Sequence, residues 1–374
     1  MSVAALIIGG GPAGSAAAIT LARGGMAPHL VERQSGPAQG VCGAFLGWDA
    51  IAALEALGID PWRLGARPIA SFRLVTPRRT VEAALPRMAA GLSRRLLDAA
   101  LIDAAISAGA IVTRGRTARS ADPETRTVRF DDGEAVTAQA LFLATGKHEL
   151  RGLARRFATS SIGLRAALPP KTARQDALAG VVELHLFDKG YAGLLIQEDG
   201  AANLCLSVER HRLSRAGSVP ALLADVLAEA PGLAARLDGT VPSHFDAIAG
   251  VPYGWRADGG PQGLFRIGDQ GAVIASLAGD GIALALTSGA SAAQALLTGG
   301  PDVASDWQQG LRRRCRAPLG LAELLRHGAA SPLTRGPMMQ LLHLMPGLGT
   351  RAAALTRAGA PARRTGERRS GERS

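Results

Sequence analysis

Cysteine is scarce in this sequence. The 374 residues include three cysteines, Cys42, Cys205 and Cys315, which are far apart and form no Cys-x-x-Cys pair. This spacing excludes a disulfide scaffold and a thiolate zinc cluster, and it is typical of a chain that works in a reducing compartment. We therefore expect a cytoplasmic protein without a metal site.

Long apolar runs are also missing. No stretch approaches about 18 consecutive apolar residues, so the sequence predicts no membrane-spanning helix. The apolar N-terminus lacks a basic segment and is interrupted by glycines, which excludes a secretory signal peptide. With 374 residues, 47% of them hydrophobic and 20% charged, the chain is long enough for two folded domains.

Acidic residues are outnumbered, and much of the net charge of +11 is concentrated near one end. Residues 351–374 contain seven arginines and two glutamates, and their low apolar content predicts a disordered basic tail. Nucleic-acid binding is the alternative role for this tail, but no basic surface interleaved with aromatic residues accompanies it. We expect no nucleic-acid partner.

The sequence does contain a glycine-rich turn near its N-terminus. The aliphatic run 5–8 predicts a buried parallel strand, and Gly9, Gly11 and Gly14 follow it with G-x-G-x-x-G spacing. In such a motif the first glycine makes the tight turn, the second lets a pyrophosphate approach, and the third lets helix and strand pack closely. The Ala-rich segment that follows predicts a helix whose first N–H groups bind phosphate.

An acidic residue completes this dinucleotide fingerprint. Glu32 stands at the end of the second predicted strand, 18 residues after Gly14, where its carboxylate can bind a ribose hydroxyl. A glycine motif in this context indicates a nucleotide-binding βαβ unit. The sequence contains no second motif of this kind, so a nicotinamide donor would bind transiently.

Apolar periodicity divides the rest of the chain into further elements. The pattern predicts helices at 49–57, 93–108, 219–237, 282–297 and 306–345. It predicts strands at 69–86, 111–113, 128–130, 140–144, 181–187, 193–197, 203–208 and 264–267. Prolines predict helix breaks at Pro231, Pro318 and Pro332.

Three separated segments together resemble the FAD-binding motifs of the flavoprotein hydroxylase superfamily, the p-hydroxybenzoate hydroxylase-like enzymes. They are the glycine motif with Glu32, the strand end Ala144-Thr145-Gly146, and Gly268-Asp269 followed by Gly279-Asp280-Gly281. The geranylgeranyl-reductase-like branch is the most similar, because Val41-Cys42-Gly43 resembles its Cys-Gly loop and Ser93-Arg94 resembles its helix start. The resemblance covers about residues 1–300.

This resemblance implies an α/β fold with a discontinuous, Rossmann-like FAD-binding domain at 1–68, 90–150 and 252–300. It implies an inserted substrate domain of β-sheet and helices at 69–89 and 151–251. C-terminal helices would follow at 301–350, before the basic tail.

The resemblance also implies an FAD site. In it, Asp269 would bond the ribityl chain, Arg94 would reach phosphate or ribose, and the helix after Gly281 would point its N–H groups at the flavin. The full set of cofactor-binding positions that we expect is Gly9, Gly11, Pro12, Ala13, Gly14, Glu32, Arg33, Cys42, Arg94, Ala144, Thr145, Gly146, Gly268, Asp269, Gly279, Gly281 and Ile282.

Three residues are candidates for catalysis. Cys42 belongs near the flavin ring by resemblance, although a free cysteine also serves as a small apolar packing residue. His148 can orient substrate or transfer a proton, or it can cap its loop. Tyr253 can contact flavin or substrate, or it can pack at a domain junction. We expect Lys147 and Arg151 to form surface or interdomain ion pairs.

The function that we expect is an FAD-dependent monooxygenase of an aromatic, polyketide or lipid-like molecule. By resemblance it would take electrons from NAD(P)H or another reductant and use O₂ through a C4a-hydroperoxyflavin. One alternative is a reductase of isoprenoid-type C=C bonds, and another is a non-catalytic flavin-binding electron carrier. The tryptophan-rich signature of flavin halogenases is absent. The Met/Leu-rich segment 337–345 predicts core packing, or else peripheral membrane contact.

Overall fold

The computed structural model describes residues 2–157, 159 and 161–359. Its strands are β1 (Ser2–Ile8), β2 (His29–Glu32), β3 (Phe45–Leu46), β4 (Arg67–Thr76), β5 (Arg79–Gly91), β6 (Ile111–Arg114), β7 (Ala118–Asp122), β8 (Thr127–Phe130), β9 (Ala135–Leu143), β10 (Ser161–Leu168), β11 (Val181–Phe187), β12 (Gly190–Ile196), β13 (Ala202–Glu209), β14 (Asp246–Ala249) and β15 (Leu264–Arg266). Its helices are α1 (Pro12–Arg23), α2 (Trp48–Ala56), α3 (Arg94–Ser107), α4 (Thr172–Ala177), α5 (Arg210–Ala216), α6 (Val219–Glu229), α7 (Pro231–Leu237), α8 (Gly281–Gly299), α9 (Ala304–Ala330), α10 (Pro332–Leu344) and α11 (Pro346–Leu355).

The first sheet is the parallel sheet that the N-terminal motif predicts. Strands β6, β2, β1 and β9 lie side by side in that order, all parallel, and β15 continues the parallel pairing beyond β9. The antiparallel strands β8 and β7 extend the sheet from the start of β9. Strand β1 therefore lies between β2, the next strand in the chain, and β9, which begins more than a hundred residues later. Ligands bind at such a switch point, outside the carboxyl ends of the strands.

Small residues allow two helices to pack closely beside this sheet. Helix α1 is Ala-rich, and its residues 12–19 are all buried. A Cβ atom placed on Gly289 of α8 would overlap the carbonyl oxygen of Ala13, so glycine is what lets α8 lie directly against α1. This contact holds the N-terminal end of α1 against the middle of α8.

The second sheet is built from strands that come before and after β6–β9 in the chain. Its strand order is β14-β10-β13-β12-β11-β4-β5-β3, antiparallel except for the parallel pair of β11 and β4. Successive residues of β11 alternate between its two faces, since Phe187 packs in the cluster that includes α6 and α7, whereas Leu186 packs with Met339 of α10. Strand β10 was missed by the sequence analysis.

The C-terminal helices cover the face of the second sheet opposite α6 and α7. Helix α9 does not break at Pro318, and our prediction of a break there was wrong. Leu311, Cys315 and Leu319 are buried at four-residue spacing along α9, so packing along one face outweighs the hydrogen bond that proline removes. The predicted breaks at Pro231 and Pro332 are confirmed, because each residue begins a helix.

The basic region differs from our prediction of a tail that starts at 351. Helix α11 continues to Leu355, and residues 356–359 fold back onto the molecule, where Thr356 is buried. The rest of the predicted tail, 360–374, lies outside the described residues. The electrostatic reason for the ordered part is an ion pair between Arg357 and the buried Asp280.

One helix in the part of the chain that the structure describes has the length and composition of a membrane span. Helix α8 has a mean hydropathy of 1.3 over its most apolar window, and half of that window is buried. It packs against α1 in the core of the first sheet, which accounts for its apolar character.

A buried carboxylate anchors the second sheet. The side chain of Glu183 on β11 is fully buried and accepts hydrogen bonds from Arg73 at 2.8 Å and from Arg236 at 2.8 and 3.1 Å. The ring of His185 lies 2.9 Å from the same carboxylate. Burial opposes ionisation of Glu183, but these partners outweigh burial and lower its pKa to about 2.

We expect Glu183→Gln to destabilise the protein by about 3 kcal/mol near neutral pH, because one pKa unit is worth about 1.4 kcal/mol. Since the folded-state pKa is depressed, this stabilisation is present above the ordinary pKa of 4.5 and is lost as the pH falls towards 2. Urea unfolding at several pH values measures it. Glu82→Gln is the control, because Glu82 binds the same Arg73 from an exposed position. Equal losses for the two variants, or a loss that does not depend on pH, would contradict this account.

Candidate functional site

A large cleft opens at the carboxyl ends of β1 and β9 and reaches across to the second sheet. Its volume is about 850 Å³, which is within the range of small-molecule and cofactor sites. Loops that are far apart in the chain line it, namely those after β1, β2 and β9 and those on both sides of the β15 strand. The sheet topology therefore brings the three motif segments to one place.

All but one of the predicted site residues line this cleft. Gly14 is the exception, since it is buried behind the turn. Those that line the cleft are Gly9, Gly11, Pro12, Ala13, Glu32, Arg33, Cys42, Arg94, Ala144, Thr145, Gly146, His148, Tyr253, Gly268, Asp269, Gly279, Gly281 and Ile282. Their roles toward a cofactor or substrate stay predictions.

The three glycines of the motif are required for different reasons. A Cβ atom on Gly9 would overlap the carbonyl of Ala144, and one on Gly14 would overlap the carbonyl of Gly9. Gly9 also has φ +109°, in the region that favours glycine. A Cβ atom on Gly11, in contrast, would meet only the tip of Arg94, at 3.4 Å. The fold itself therefore explains Gly9 and Gly14, whereas at Gly11 it leaves the space beside the backbone open.

The start of helix α1 is open to an anion. Gly11 is the N-cap residue and supplies no side-chain cap, and Pro12 occupies the first turn. Arg94 lies beside this turn, held by two hydrogen bonds to Asp98 at 2.8 and 2.6 Å. A helix N-terminus next to a guanidinium is a favourable site for phosphate.

Glu32 is oriented by hydrogen bonds to the backbone, one of them from the glycine-rich turn. Its two carboxylate oxygens accept the N–H groups of Gly10 at 2.7 Å and Gln34 at 2.8 Å. Next to it, Arg33 donates to Nε2 of His148 at 2.8 Å. Burial and the charges of Arg33 and Lys147 lower the pKa of His148, so its ring is neutral near neutral pH. Because it binds Arg33, which is next to Glu32, His148 lies on the Glu32 side of the cleft.

The opposite wall contains an ion pair that the sequence analysis did not place there. Lys147 and Asp269 are joined at 2.8 Å, and both line the cleft. Burial alone would lower the pKa of Lys147, but the Asp269 carboxylate raises it to about 12. Lys147 is therefore a fixed positive charge that lines the cleft, where we expected a surface or interdomain ion pair.

Two further residues, both missed, lock the loops of this wall together. Arg155 is buried and donates to the carbonyls of Asp269 at 2.8 Å and Lys147 at 3.0 Å. Gln270 donates to the carbonyls of Gly146 and His148, both at 2.9 Å. The position of Gln270 directly after Asp269 could have identified it as a site residue from the sequence. The sequence around Arg155 contains no such signal, because its partners are set only by tertiary packing.

The Cys42 loop is fixed by the second sheet. Asn203 donates to the carbonyl of Cys42 at 3.0 Å and accepts from the buried Arg165 at 2.9 Å. Cys205 lines the same part of the cleft, and burial together with the neighbouring Cys42 raises the pKa of Cys205 to about 12. Cys205 is thus a neutral thiol.

A chain of hydroxyl groups lies on the side of the cleft that faces the second sheet. The sequence contains two tyrosines, and both share a hydrogen bond with the Ser276 hydroxyl, that of Tyr253 at 2.7 Å. Tyr253 also shares one with Ser207 at 3.3 Å. Burial, reinforced by neighbouring Tyr253, raises the pKa of Tyr191 well above 10, so its hydroxyl stays protonated.

An apolar cavity continues from the cleft at these hydroxyls. Its volume is about 170 Å³, and it lies between the second sheet and helices α9–α11. Residues shared by the two spaces are Gly43, Phe45, Cys205, Leu206, Ser276 and Gly279. Beyond Ser276 the walls are mainly aliphatic, for example Leu184 on β11 and Leu342 on α10. The site is therefore polar at the dinucleotide end and apolar at the other end.

The residues present fit FAD. The open backbone at Gly11, the uncapped α1 N-terminus and the oriented Glu32 would hold its pyrophosphate and a ribose. Among the described residues, no group of three or more His, Cys, Asp or Glu side chains is arranged to bind a metal ion.

Comparison with known proteins supports this reading. Residues 2–152 match the family described as FAD binding domain. The menaquinone reductase of Mycolicibacterium smegmatis is 26% identical over 329 residues, covering 81% of this chain and 78% of that protein. The chloroplastic geranylgeranyl diphosphate reductase of Nicotiana tabacum is 32% identical over 114 residues, covering 29% of this chain and 24% of that protein.

Solved structures share the fold at low sequence identity. The flavin-dependent brominase Bmp2 has a TM-score of 0.76 at 16% identity, over 96% of this chain and 94% of that one. A geranylgeranyl bacteriochlorophyll reductase-like protein of Thermoplasma acidophilum has a TM-score of 0.74 at 18% identity, over the same two shares. A variant of PqsL of Pseudomonas aeruginosa has a TM-score of 0.73 at 16% identity, over 91% of this chain and all of that one.

The fold, the cleft and the matched family together define an FAD-dependent oxidoreductase. These matches are consistent with the resemblance of its sequence motifs to the flavoprotein hydroxylase superfamily.

We expect Gly11→Val to abolish FAD binding, because the added side chain would occupy the space that the pyrophosphate needs, whereas no main-chain atom opposes it in the free protein. Titration of the apoprotein with FAD, followed by flavin fluorescence, measures the loss. Gly310→Val is the control, since Gly310 in helix α9 also faces open space but lies outside the cleft. A yellow holoenzyme with normal affinity from Gly11→Val would show that the cleft is used differently.

Proposed function

We propose that this protein is an FAD-dependent monooxygenase of a small molecule that combines a polar, electron-rich ring with an apolar chain. The observation that carries the proposal is the apolar cavity that begins where the cleft reaches Ser276. A ring at the hydroxyl groups and a chain along the aliphatic walls would satisfy both ends of this space. Bound FAD would supply the electron transfer and the oxygen chemistry.

The residues around the junction have distinct roles in this proposal. Tyr253 and Tyr191, linked through Ser276, bind the polar group of the substrate and hold its proton. Cys42 lines the cleft next to Gly43, which borders both spaces, on a loop that Asn203 holds in place. The aliphatic walls exclude water from the reacting centre, which protects reduced flavin chemistry from solvent.

The electron donor in this proposal is a nicotinamide nucleotide that binds transiently. The parallel sheet has one dinucleotide fingerprint, and it is used for FAD. The exposed leucines of α10, Leu341 and Leu344, leave peripheral membrane contact as a prediction for this face.

The second candidate is a reductase of isoprenoid-type C=C bonds. It is favoured by the two sequence relatives, which are a menaquinone reductase and a geranylgeranyl diphosphate reductase. The cavity suits this substrate class equally, since a prenyl chain is also long and apolar. The two candidates differ in whether oxygen enters the product.

Product analysis distinguishes the two reactions. The holoenzyme is supplied with NADPH and with either dodecylphenol or menaquinone, in isotopically labelled oxygen and separately without oxygen. We expect a phenol product that contains one labelled oxygen atom and forms only when oxygen is present. Addition of two hydrogen atoms to a C=C bond of the menaquinone side chain without oxygen would instead establish the reductase, whereas reduction of the quinone ring alone would not. FAD-loaded protein without substrate is the control for uncoupled oxidation of NADPH.

We expect Leu342→Trp to lower kcat/KM for a long-chain substrate by about ten- to hundredfold, because each excluded methylene is worth about 1–3 kcal/mol in a well-fitted pocket. Leu342 lines the cavity, whereas its neighbour Leu341 points outward and is 51% exposed. Leu341→Trp is therefore the matched control. The effect should shrink for a phenol without a chain. Equal kinetics for the two variants would show that the cavity does not hold the substrate.

A further inference from the structure

The last described residues, 356–359, reach back to the loop that precedes helix α8; we call them the C-terminal strap. Nη1 of Arg357 lies 3.2 Å from Oδ1 of Asp280, and their side chains are 6% and 0% exposed. The N–H groups of Ala358 and Gly359 donate to the other oxygen of the same carboxylate, at 2.6 and 2.9 Å. Three successive residues of the strap therefore bind one buried side chain.

The orientation of the 278–281 loop links this contact to the cofactor. Gly279 and Gly281 line the cleft, whereas Asp280 between them does not. Asp280 turns away from the cleft and towards the strap. The loop thus presents only backbone to the cleft, and it is held from behind by its one carboxylate.

Arg357 is bound on further sides as well. It donates to the carbonyl of Ala278 at 2.5 Å, and its guanidinium lies 4.4 Å from the ring centre of Trp48. A Cβ atom on Gly47 would lie 2.6 Å from Nη1 of Arg357, so glycine at 47 makes room for this side chain. A guanidinium fixed at a carboxylate, a carbonyl and an aromatic face has one position.

The end of the strap is fitted to the first turn of α8. A Cβ atom on Gly359 would lie 2.5 Å from Cβ of Ala283 and 2.8 Å from the backbone nitrogen of Leu284. Such distances are too short for real atoms, so a side chain at 359 would push the strap away from the helix. A substitution at Gly359 would therefore displace the strap without removing Arg357.

We propose that the C-terminal strap is part of the flavin site, with Arg357 as a positioning residue that fixes the 278–281 loop and the start of α8 against the cofactor. The charge of Arg357 offsets that of Asp280 directly behind the loop. The N–H groups at the start of α8 then keep the positive potential that stabilises negative charge on a reduced flavin. The proposal depends on FAD in the cleft and not on which substrate is oxidised or reduced.

Arginine variants of the full chain test the charge. We expect Arg357→Ala to weaken FAD binding about tenfold and to lower the midpoint potential of the bound flavin, because the 278–281 loop would lose the positive charge and the hydrogen bonds that hold it. A tenfold change in the redox equilibrium is about 30 mV for a two-electron couple. Arg357→Lys should recover part of the potential, since it keeps the charge. Arg351→Ala, at an exposed arginine of α11, is the matched control and should equal the wild type.

Glycine variants test the position of the strap. Gly359→Ala should lower FAD affinity and potential as Arg357→Ala does, although every charge is retained. Gly347→Ala is its control, because a Cβ atom there meets nothing within 4 Å. Fluorescence titration gives the affinity, spectroelectrochemistry the potential, and thermal melting of the apoprotein shows whether each variant folds.

Unchanged flavin potential and affinity in both Arg357→Ala and Gly359→Ala would overturn the proposal. Equal effects in a variant and its matched control would also overturn it. If Arg357→Ala does not fold, then Arg357→Lys and Gly359→Ala decide the question through the same potentials. Neither readout requires turnover, so a wrong assignment of the monooxygenase reaction would leave this test intact.

Discussion

The close approach of backbone to backbone where β1 meets α1 is the constraint on which the rest of the site depends. Gly9 turns the chain beneath Ala144, and Gly14 packs onto Gly9, with no room for a side chain at either place. This contact points the N-terminus of α1 at the space beyond the strands, Gly289 lets α8 pack against α1, and the first residues of both helices line the cleft. Two helix N-termini therefore face one cleft, which is a favourable environment for anionic groups.

The cleft changes character along its length, and the two sheets divide this work. The parallel sheet supplies backbone groups and the polar residues Glu32 and Arg94 at the dinucleotide end. The second sheet supplies aliphatic side chains and the hydroxyls of Tyr191 and Ser207 at the other end. A reactive centre between them would be bound through polar groups on one side and shielded from water on the other, as flavin chemistry requires.

Fixed charges around the cleft come in compensated pairs. Lys147 lies against Asp269, Arg94 against Asp98, and Arg357 against Asp280. A buried charge without a partner is costly, so within each pair the opposite charge offsets the cost of partial desolvation. Burial still raises the pKa of Asp280 to about 6, despite Arg357 and two N–H donors. The loop that Asp280 anchors therefore depends on a partner from the far end of the chain.

The sequence alone determined the parallel βαβ unit, most helices and part of the set of residues that line the cleft. Those features depend on local rules, such as glycine spacing, strand periodicity and helix capping, for which the Ser93 hydroxyl accepts the N–H of Leu96. Only the tertiary structure decided what meets across long separations. Lys147 pairs with Asp269 inside the site, and α9 continues through Pro318. Both tyrosines share hydrogen bonds with Ser276, and Arg357 forms an ion pair with Asp280. Such contacts arise from packing between distant elements, and no local pattern encodes which distant side chain will be the partner.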